Sequence, residues 1–208
     1  MKKTKRSKKS RSWVIKQHRD QFFKKSKVLG FRSRAAFKLI ELNEKFNFIK
    51  KNTKILDVGS SPGGWSQVSR SVVKIGKIVS IDIKPMENID GVHFIQDNFL
   101  NESTKTLILK ELNQKINVII SDMAADTTGN KNLDCIRTNA LCAEVINFSA
   151  NILERTGTVI AKVFMGEDFL QVKDLAKKKF VKVDFFKPES SKKESKETYI
   201  HCSTLKTL

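Results

Sequence analysis

Asp57-Val-Gly-Ser-Ser-Pro-Gly-Gly-Trp-Ser66 closes a short apolar run, Ile55 to Val58, with a glycine turn and opens a segment of helical character. A strand, a glycine turn and a helix N-terminus together make a nucleotide pocket. Gly59, Gly63 and Gly64 leave the backbone open to a ligand, and the amides of the following helix point into the cleft with the positive end of its dipole. The spacing is G-x-x-x-G-G. It is not the G-x-G-x-x-G that seats a pyrophosphate, and no Lys-Ser/Thr follows as a P-loop requires. A ligand with ribose and adenine but no phosphate chain remains.

Further along, three more apolar runs end in a carboxylate: Ile78-Val-Ser-Ile-Asp82, Val92-His-Phe-Ile-Gln-Asp97 and Val118-Ile-Ile-Ser-Asp122. Asp82 comes 18 residues after Gly64, the place where doubly wound sheets carry the acid that accepts hydrogen bonds from both ribose hydroxyls. A single Asp after a strand is commonly a helix N-cap. Four in register, at 57, 82, 97 and 122, instead predict a cleft at the carboxyl edge of the sheet, laid out as in an S-adenosylmethionine methyltransferase.

The surrounding pattern supplies the rest of such a fold. Apolar residues at 36, 37, 39, 40 and 42 predict a helix over 33–46, with Ser33 as its N-cap and Lys38 on its surface. Strands are expected at 55–58, 77–82, 92–96, 116–121, 158–164, 180–186 and 197–203, and helices at 64–74, 103–113, 132–154 and 167–178. This alternation predicts a Rossmann-like α/β fold, a mostly parallel seven-stranded sheet with helices on both faces. The connection from Lys187 to Lys196 has no helical pattern, so the last strand should run antiparallel to its predecessor, as a hairpin at the sheet's edge.

Charge separates one segment from this domain. The chain of 208 residues carries a net charge of +18, and residues 1–27 hold twelve Lys/Arg against one acid, Asp20. A block of this kind repels itself and complements a polyanion. We therefore divide the chain into a basic, partly disordered RNA-binding arm at 1–30 and one catalytic domain at 31–208. No apolar run approaches a membrane span and no apolar segment follows the basic N-terminus, which predicts a cytoplasmic protein without membrane contact. Cys135, Cys142 and Cys202 lack CxxC spacing and the three histidines are scattered, so neither a disulfide frame nor a metal site is expected.

Ala161-Lys-Val-Phe164 places a lysine inside an apolar strand, where an ammonium must be paired or lose its proton unless the strand lies at an edge. Together with Phe31-Arg-Ser-Arg-Ala-Ala-Phe-Lys38, the glycine turn through Gln67, Asp82 with Pro85-Met86, Ser121-Asp-Met-Ala124, Gly166-Glu167, and Lys187-Pro188 leading to Ser195-Lys-Glu-Thr-Tyr199, it resembles the FtsJ/RrmJ-type ribosomal RNA 2'-O-ribose methyltransferases over nearly the whole chain. The resemblance implies a catalytic tetrad of Lys38, Asp122, Lys162 and Glu197. It implies S-adenosylmethionine contacts at Gly63, Trp65, Asp82, Asp97 and Asp122. It also implies a uridine ribose of large-subunit ribosomal RNA as acceptor, in the assembled subunit, for an enzyme working as a monomer. Two departures stand out. Asp122-Met-Ala-Ala-Asp126 replaces the family's Asp-Met-Ala-Pro-Asn, and Lys192 and Lys196 replace arginines, with Glu194 at another such position. Lysine lacks the bidentate phosphate contact of arginine.

Lys162 is the candidate base. Burial and Lys38 would lower its pKa while Asp122 and Glu197 would raise it, and the cluster can share protons or let the proton leave late to water. Three other readings stand beside this one: an oxidoreductase on a Rossmann sheet, disfavoured by the missing G-x-G-x-x-G; an RNA-binding assembly factor on a methyltransferase scaffold; and a 2'-O-methyltransferase of tRNA.

Overall fold

A computed structural model describes residues 20–206. The basic arm up to residue 19 lies outside the described residues. The remainder of the segment assigned to the arm forms helix α1, Gln21–Val28, capped by Asp20, whose Oδ1 accepts the amides of Phe22 and Phe23. It packs on helix α2, Ala35–Phe46, through Phe22 and Phe37, whose rings lie 5.5 Å apart. The chain then runs β1 (Ile55–Val58), α3 (Gly64–Val72), β2 (Ile78–Asp82), β3 (His93–Gln96), α4 (Glu102–Leu112), β4 (Ile116–Ser121), α5 (Lys131–Ile152), β5 (Leu153–Phe164), α6 (Phe169–Lys179), β6 (Phe180–Phe186) and β7 (Glu197–Leu205).

One seven-stranded sheet has the order β3-β2-β1-β4-β5-β7-β6. β7 is antiparallel to both neighbours, and it fills the slot between β5 and β6. The hairpin's outer strand, β6, forms the edge; β5 is interior, so Lys162 does not guard an edge.

Period-two alternation divides the strand residues between two cores. Leu56, Val79, Ile119 and Val163 pack under α4, α5 and α6, whereas Ile55, Ile78, Val118, Ile120 and Ile160 pack under α2 and α3. Lys162 has the parity of Ile160, which turns it toward α2, where Lys38 resides.

Two local expectations change. Helix α2 begins at Ala35 without a side-chain cap, because the Ser33 hydroxyl is packed against Gly64, 2.4 Å from where a Cβ would sit. β5 begins at Leu153 rather than 158, directly after α5, and its register on β4 jumps from Leu153 to Thr158. Gly157 permits that irregularity, since a Cβ there would meet the Leu153 side chain at 2.4 Å. No helix among the described residues is long and apolar enough to cross a membrane.

Candidate active site

The glycine turn is built by the chain's own close approaches. Gly59 has φ +78°, and a Cβ on it would meet Met123 Cγ at 2.2 Å. At Gly63, φ +109°, a Cβ would crowd Arg32, Ile89 and Met86. Arg32 fastens this region: its guanidinium donates to the carbonyls of Glu87 (2.7 Å) and Asn88 (2.8 Å), holding the segment after β2 against the turn.

Beneath the turn, Asp57 is 1% exposed. Its Oδ2 accepts the Ser66 hydroxyl at 2.6 Å, while Oδ1 has no partner among the described residues. Burial pushes its pKa up to about 7. Of the four strand-end acids it is the one drawn into the core; the others lie nearer the mouth. Asp82 is oriented by backbone amides on both sides, from Ser61 to Oδ2 (2.9 Å) and from Lys84 to Oδ1 (2.8 Å). Asp97 follows on the next strand, its amide donating to Asp82 O at 3.0 Å. Trp65 is 3% exposed, with its Nε1 donating to Ala35 O at 2.8 Å. Its indole is therefore core, and what it can offer a ligand is its backbone amide in the first turn of α3, before the first helical bond from Gln67 N to Gly63 O. The unpartnered buried oxygens of Asp57 and Ser60, the first-turn amides and the paired acids at the ends of β2 and β3 form a donor and acceptor set that fits S-adenosylmethionine, with its ammonium, carboxylate and ribose.

The four residues of the expected tetrad come together from α2, the end of β4, β5 and the start of β7. Lys162 Nζ lies 2.8 Å from Asp122 Oδ1 and donates to Asp122 O, also at 2.8 Å. Lys38 Nζ lies 2.8 Å from Glu197 Oε1 and 3.7 Å from Asp122 Oδ1. Glu197 Oε2 is 3.9 Å from Lys162 Nζ. Both lysines are buried, at 9% and 8% exposure for Lys38 and Lys162. Burial acts to lower the Lys38 pKa, but Asp122 and Glu197 outweigh it and hold it above the ordinary lysine value. Burial likewise acts to raise Asp122, but Lys162 and Lys38 prevail and keep its carboxylate below its usual range.

Sequence reasoning missed the groups that aim this cluster. Tyr199 donates its hydroxyl to Asp122 Oδ1 at 2.5 Å, and burial together with the two carboxylates pushes its pKa well above 10, so it remains a donor. A signal existed in the alternation of β7, which puts 197 and 199 on one face, and Lys162 pairs with Tyr199 in register. Ser191 donates to Glu197 Oε1 at 2.7 Å. The loop carrying Ser191 is tied down by Glu41, which accepts the amides of Glu189 and Ser190, and by Arg34, which bridges Ser190 O to Asp20.

The two lysines and two carboxylates thus form one buried contact network at the carboxyl edge, next to a nucleotide-type cleft. Among known proteins, this chain is 43% identical over 197 residues to the ribosomal RNA large subunit methyltransferase E of Pelagibacter ubique (strain HTCC1062), covering 95% of this chain and 97% of the relative. The protein of the same name from Rickettsia akari (strain Hartford) is 42% identical, covering 94% and 89%. A crystal structure of a Plasmodium falciparum protein, provisionally named a ribosomal RNA methyltransferase, superposes with a TM-score of 0.74 at 33% identity, covering 84% of this chain and 98% of that one. The family profile described as FtsJ-like methyltransferase matches residues 31–205, and the chain therefore belongs to the FtsJ-like methyltransferase family.

Proposed function

We propose that this enzyme methylates the 2'-hydroxyl of a uridine ribose in large-subunit ribosomal RNA, on the assembled subunit, with S-adenosylmethionine as methyl donor. The observation that carries the reading is the convergence of Lys162, Asp122, Lys38 and Glu197 at the carboxyl edge, beside the glycine turn. The relatives' names support ribosomal RNA as the substrate class.

S-adenosylmethionine, when bound, supplies an electrophilic methyl on a sulfonium. The residues of this chain must then hold a weak nucleophile in line and take its proton. Asp82 and Asp97 would hold the ribose and adenine end, Asp57 and the first turn of α3 the amino-acid end, and Asp122 would stand between the cofactor and Lys162. Good orientation contributes up to about 7–11 kcal/mol, and a positioned base about 10²–10⁴-fold in rate.

Lys162 is the base in this reading. As a neutral amine it has two N–H bonds, and Asp122 O and Oδ1 are placed to receive both. The lone pair then takes the remaining tetrahedral position, away from Asp122, where the acceptor hydroxyl would release its proton. Lys38 stays an ammonium, pairs with Glu197 at 2.8 Å and lies 3.7 Å from Asp122, and presents a positive charge to the developing oxyanion. Tyr199 and Ser191 fix the carboxylates. Every member comes from one chain, which supports action as a monomer, with the cytoplasm as the place where the subunit is met.

The test is tritium transfer from labelled cofactor to large subunits purified from cells lacking the protein, followed by mapping of ribose methylation. Label at one 2'-O position of the large-subunit RNA is expected. Label on a base, on tRNA or on no RNA would overturn the proposal.

A further inference from the structure

The cluster described above occupies the carboxyl edge of the sheet. The opposite, amino edge carries cations on six adjacent strands, from β2 through β1, β4, β5 and β7 to β6. Lys50, Lys51 and Lys54 precede β1, and Lys74 and Lys77 precede β2. Lys115 precedes β4, Arg155 stands in the irregular start of β5, and Lys206 follows β7, which ends at this edge. Lys177, Lys178 and Lys179 lead into β6, which carries Lys182. At a strand spacing of about 4.8 Å this row spans roughly 24 Å.

Two observations set the row apart from an ordinary solvated surface. First, apart from Lys182, which lies 3.6 Å from Asp184, none of these cations has a carboxylate within 4.0 Å among the described residues. Several are instead anchored on neutral oxygens: Lys54 on Gln114 Oε1 (2.9 Å), Lys115 on Asn151 O (2.8 Å) and Lys206 on Lys177 O (2.6 Å), with Lys77 on Glu111 O and Lys50 on Asn47 Oδ1. Their positions are held without a carboxylate partner. Secondly, the row is concave at one end. A cleft of about 760 Å³ opens between the starts of β1, β2 and β3, with Lys54, Lys77, His93 and one acid, Asp90, among its lining and Ile75 85% exposed. Lysines 177–179 also complement the C-terminal dipole of α6, and Lys77, Lys115 and Lys206 donate to last-turn carbonyls of α4, α5 and α6, whereas Lys51, Lys54 and Arg155 have no helix-end carbonyl as partner among the described residues.

We propose that this amino edge is a second RNA-binding face, which grips the sugar-phosphate backbone of a segment remote from the methylated ribose. A strand of six residues separates the two edges by about 20 Å. The two edges face opposite ways, so a short RNA at the reacting lysine does not lie along both, whereas a folded particle presenting two RNA segments does. The inference rests on the reading of this protein as a ribosomal RNA methyltransferase and adds a requirement for a large, folded substrate.

The experiment compares wild type with the triple variant Lys51→Gln/Lys74→Gln/Lys178→Gln, and with the same three positions changed to Arg. Methyl transfer is measured on large subunits purified from cells lacking the protein and on a short RNA carrying the target nucleotide. The glutamine variant should raise KM on the subunit about tenfold or more, leave kcat and the short RNA unchanged, and flatten the slope of log affinity against log salt by about 2. The arginine variant should behave as wild type. Equal KM values for wild type and the glutamine variant on the subunit, or equal losses on both RNAs, would overturn the proposal. If wild type itself transfers no methyl group, the proposed activity falls, and filter binding of the same variants to the subunit still decides the second face: an unchanged salt slope removes it.

Discussion

The two edges of the sheet handle charge in opposite ways. At the carboxyl edge, cations and anions are buried and packed into mutual contact, with Lys162 on Asp122 and Lys38 on Glu197, each pair at 2.8 Å. At the amino edge the cations are mostly exposed and rest on carbonyl and amide oxygens. An ion taken from water must find a partner or lose its charge, whereas a solvated one need not. The buried cluster is therefore fixed in geometry and coupled in protonation, which suits chemistry. The exposed row is additive and salt-sensitive, which suits attraction of a polyanion.

That contrast ranks the expected effects of substitutions. Lys162→Ala should lower methyl transfer by about 10²–10⁴-fold while leaving cofactor affinity, read by equilibrium dialysis, within a few-fold. Turnover above a tenth of wild type would remove Lys162 from the role of base. Asp57 comes next. Its folded pKa of about 7 lies above the 3.8 of an ordinary Asp, so folding favours its protonated form and stability is lost as pH rises through 7. Wild type should lose about 3 kcal/mol from this group between pH 5 and pH 8. Asp57→Asn should not, and parallel denaturation curves for the two proteins at both pH values would contradict the assignment. Tyr199→Phe leaves a buried carboxylate one donor short and should cost about 1–3 kcal/mol of unfolding free energy, read by denaturation, with kcat lowered and cofactor binding retained. The smallest effect is expected at the other edge, where Lys178→Ala alone should change unfolding free energy by less than about 0.5 kcal/mol. A larger loss would mean that the row is structural.

The sequence declared the carboxyl edge more readily than anything that aims it. Glycines 59, 63 and 64, apolar runs ending in Asp, and a lysine amid apolar neighbours are local signals, because a strand or a turn imposes its period within a few residues. The partners of those groups are not local. Tyr199 reaches Asp122 across 77 positions and Arg32 reaches Asn88 across 56, and no periodicity ties residues so far apart. The glycines were legible as a turn, but their closest tenants, Met123 and Ser33, depend on how the loops fold back. Helix α1 was absorbed into the basic arm because its lysines outweigh its apolar content, and only the packing of Phe22 on Phe37 separates it. The amino-edge row was invisible for a different reason: its members are spread from Lys50 to Lys206 and become neighbours only once the strand order is known.

The placement of β7 has a consequence for any shortened chain. Lys38 precedes the first strand, while Glu197 and Tyr199 arrive with the last, threaded between two strands already made. In chain order the residues of the glycine turn come early, whereas the four-residue cluster is complete only with β7. A chain ending before β7 would keep the residues of the glycine turn but lack the carboxylate beside Lys38 and the phenol on Asp122.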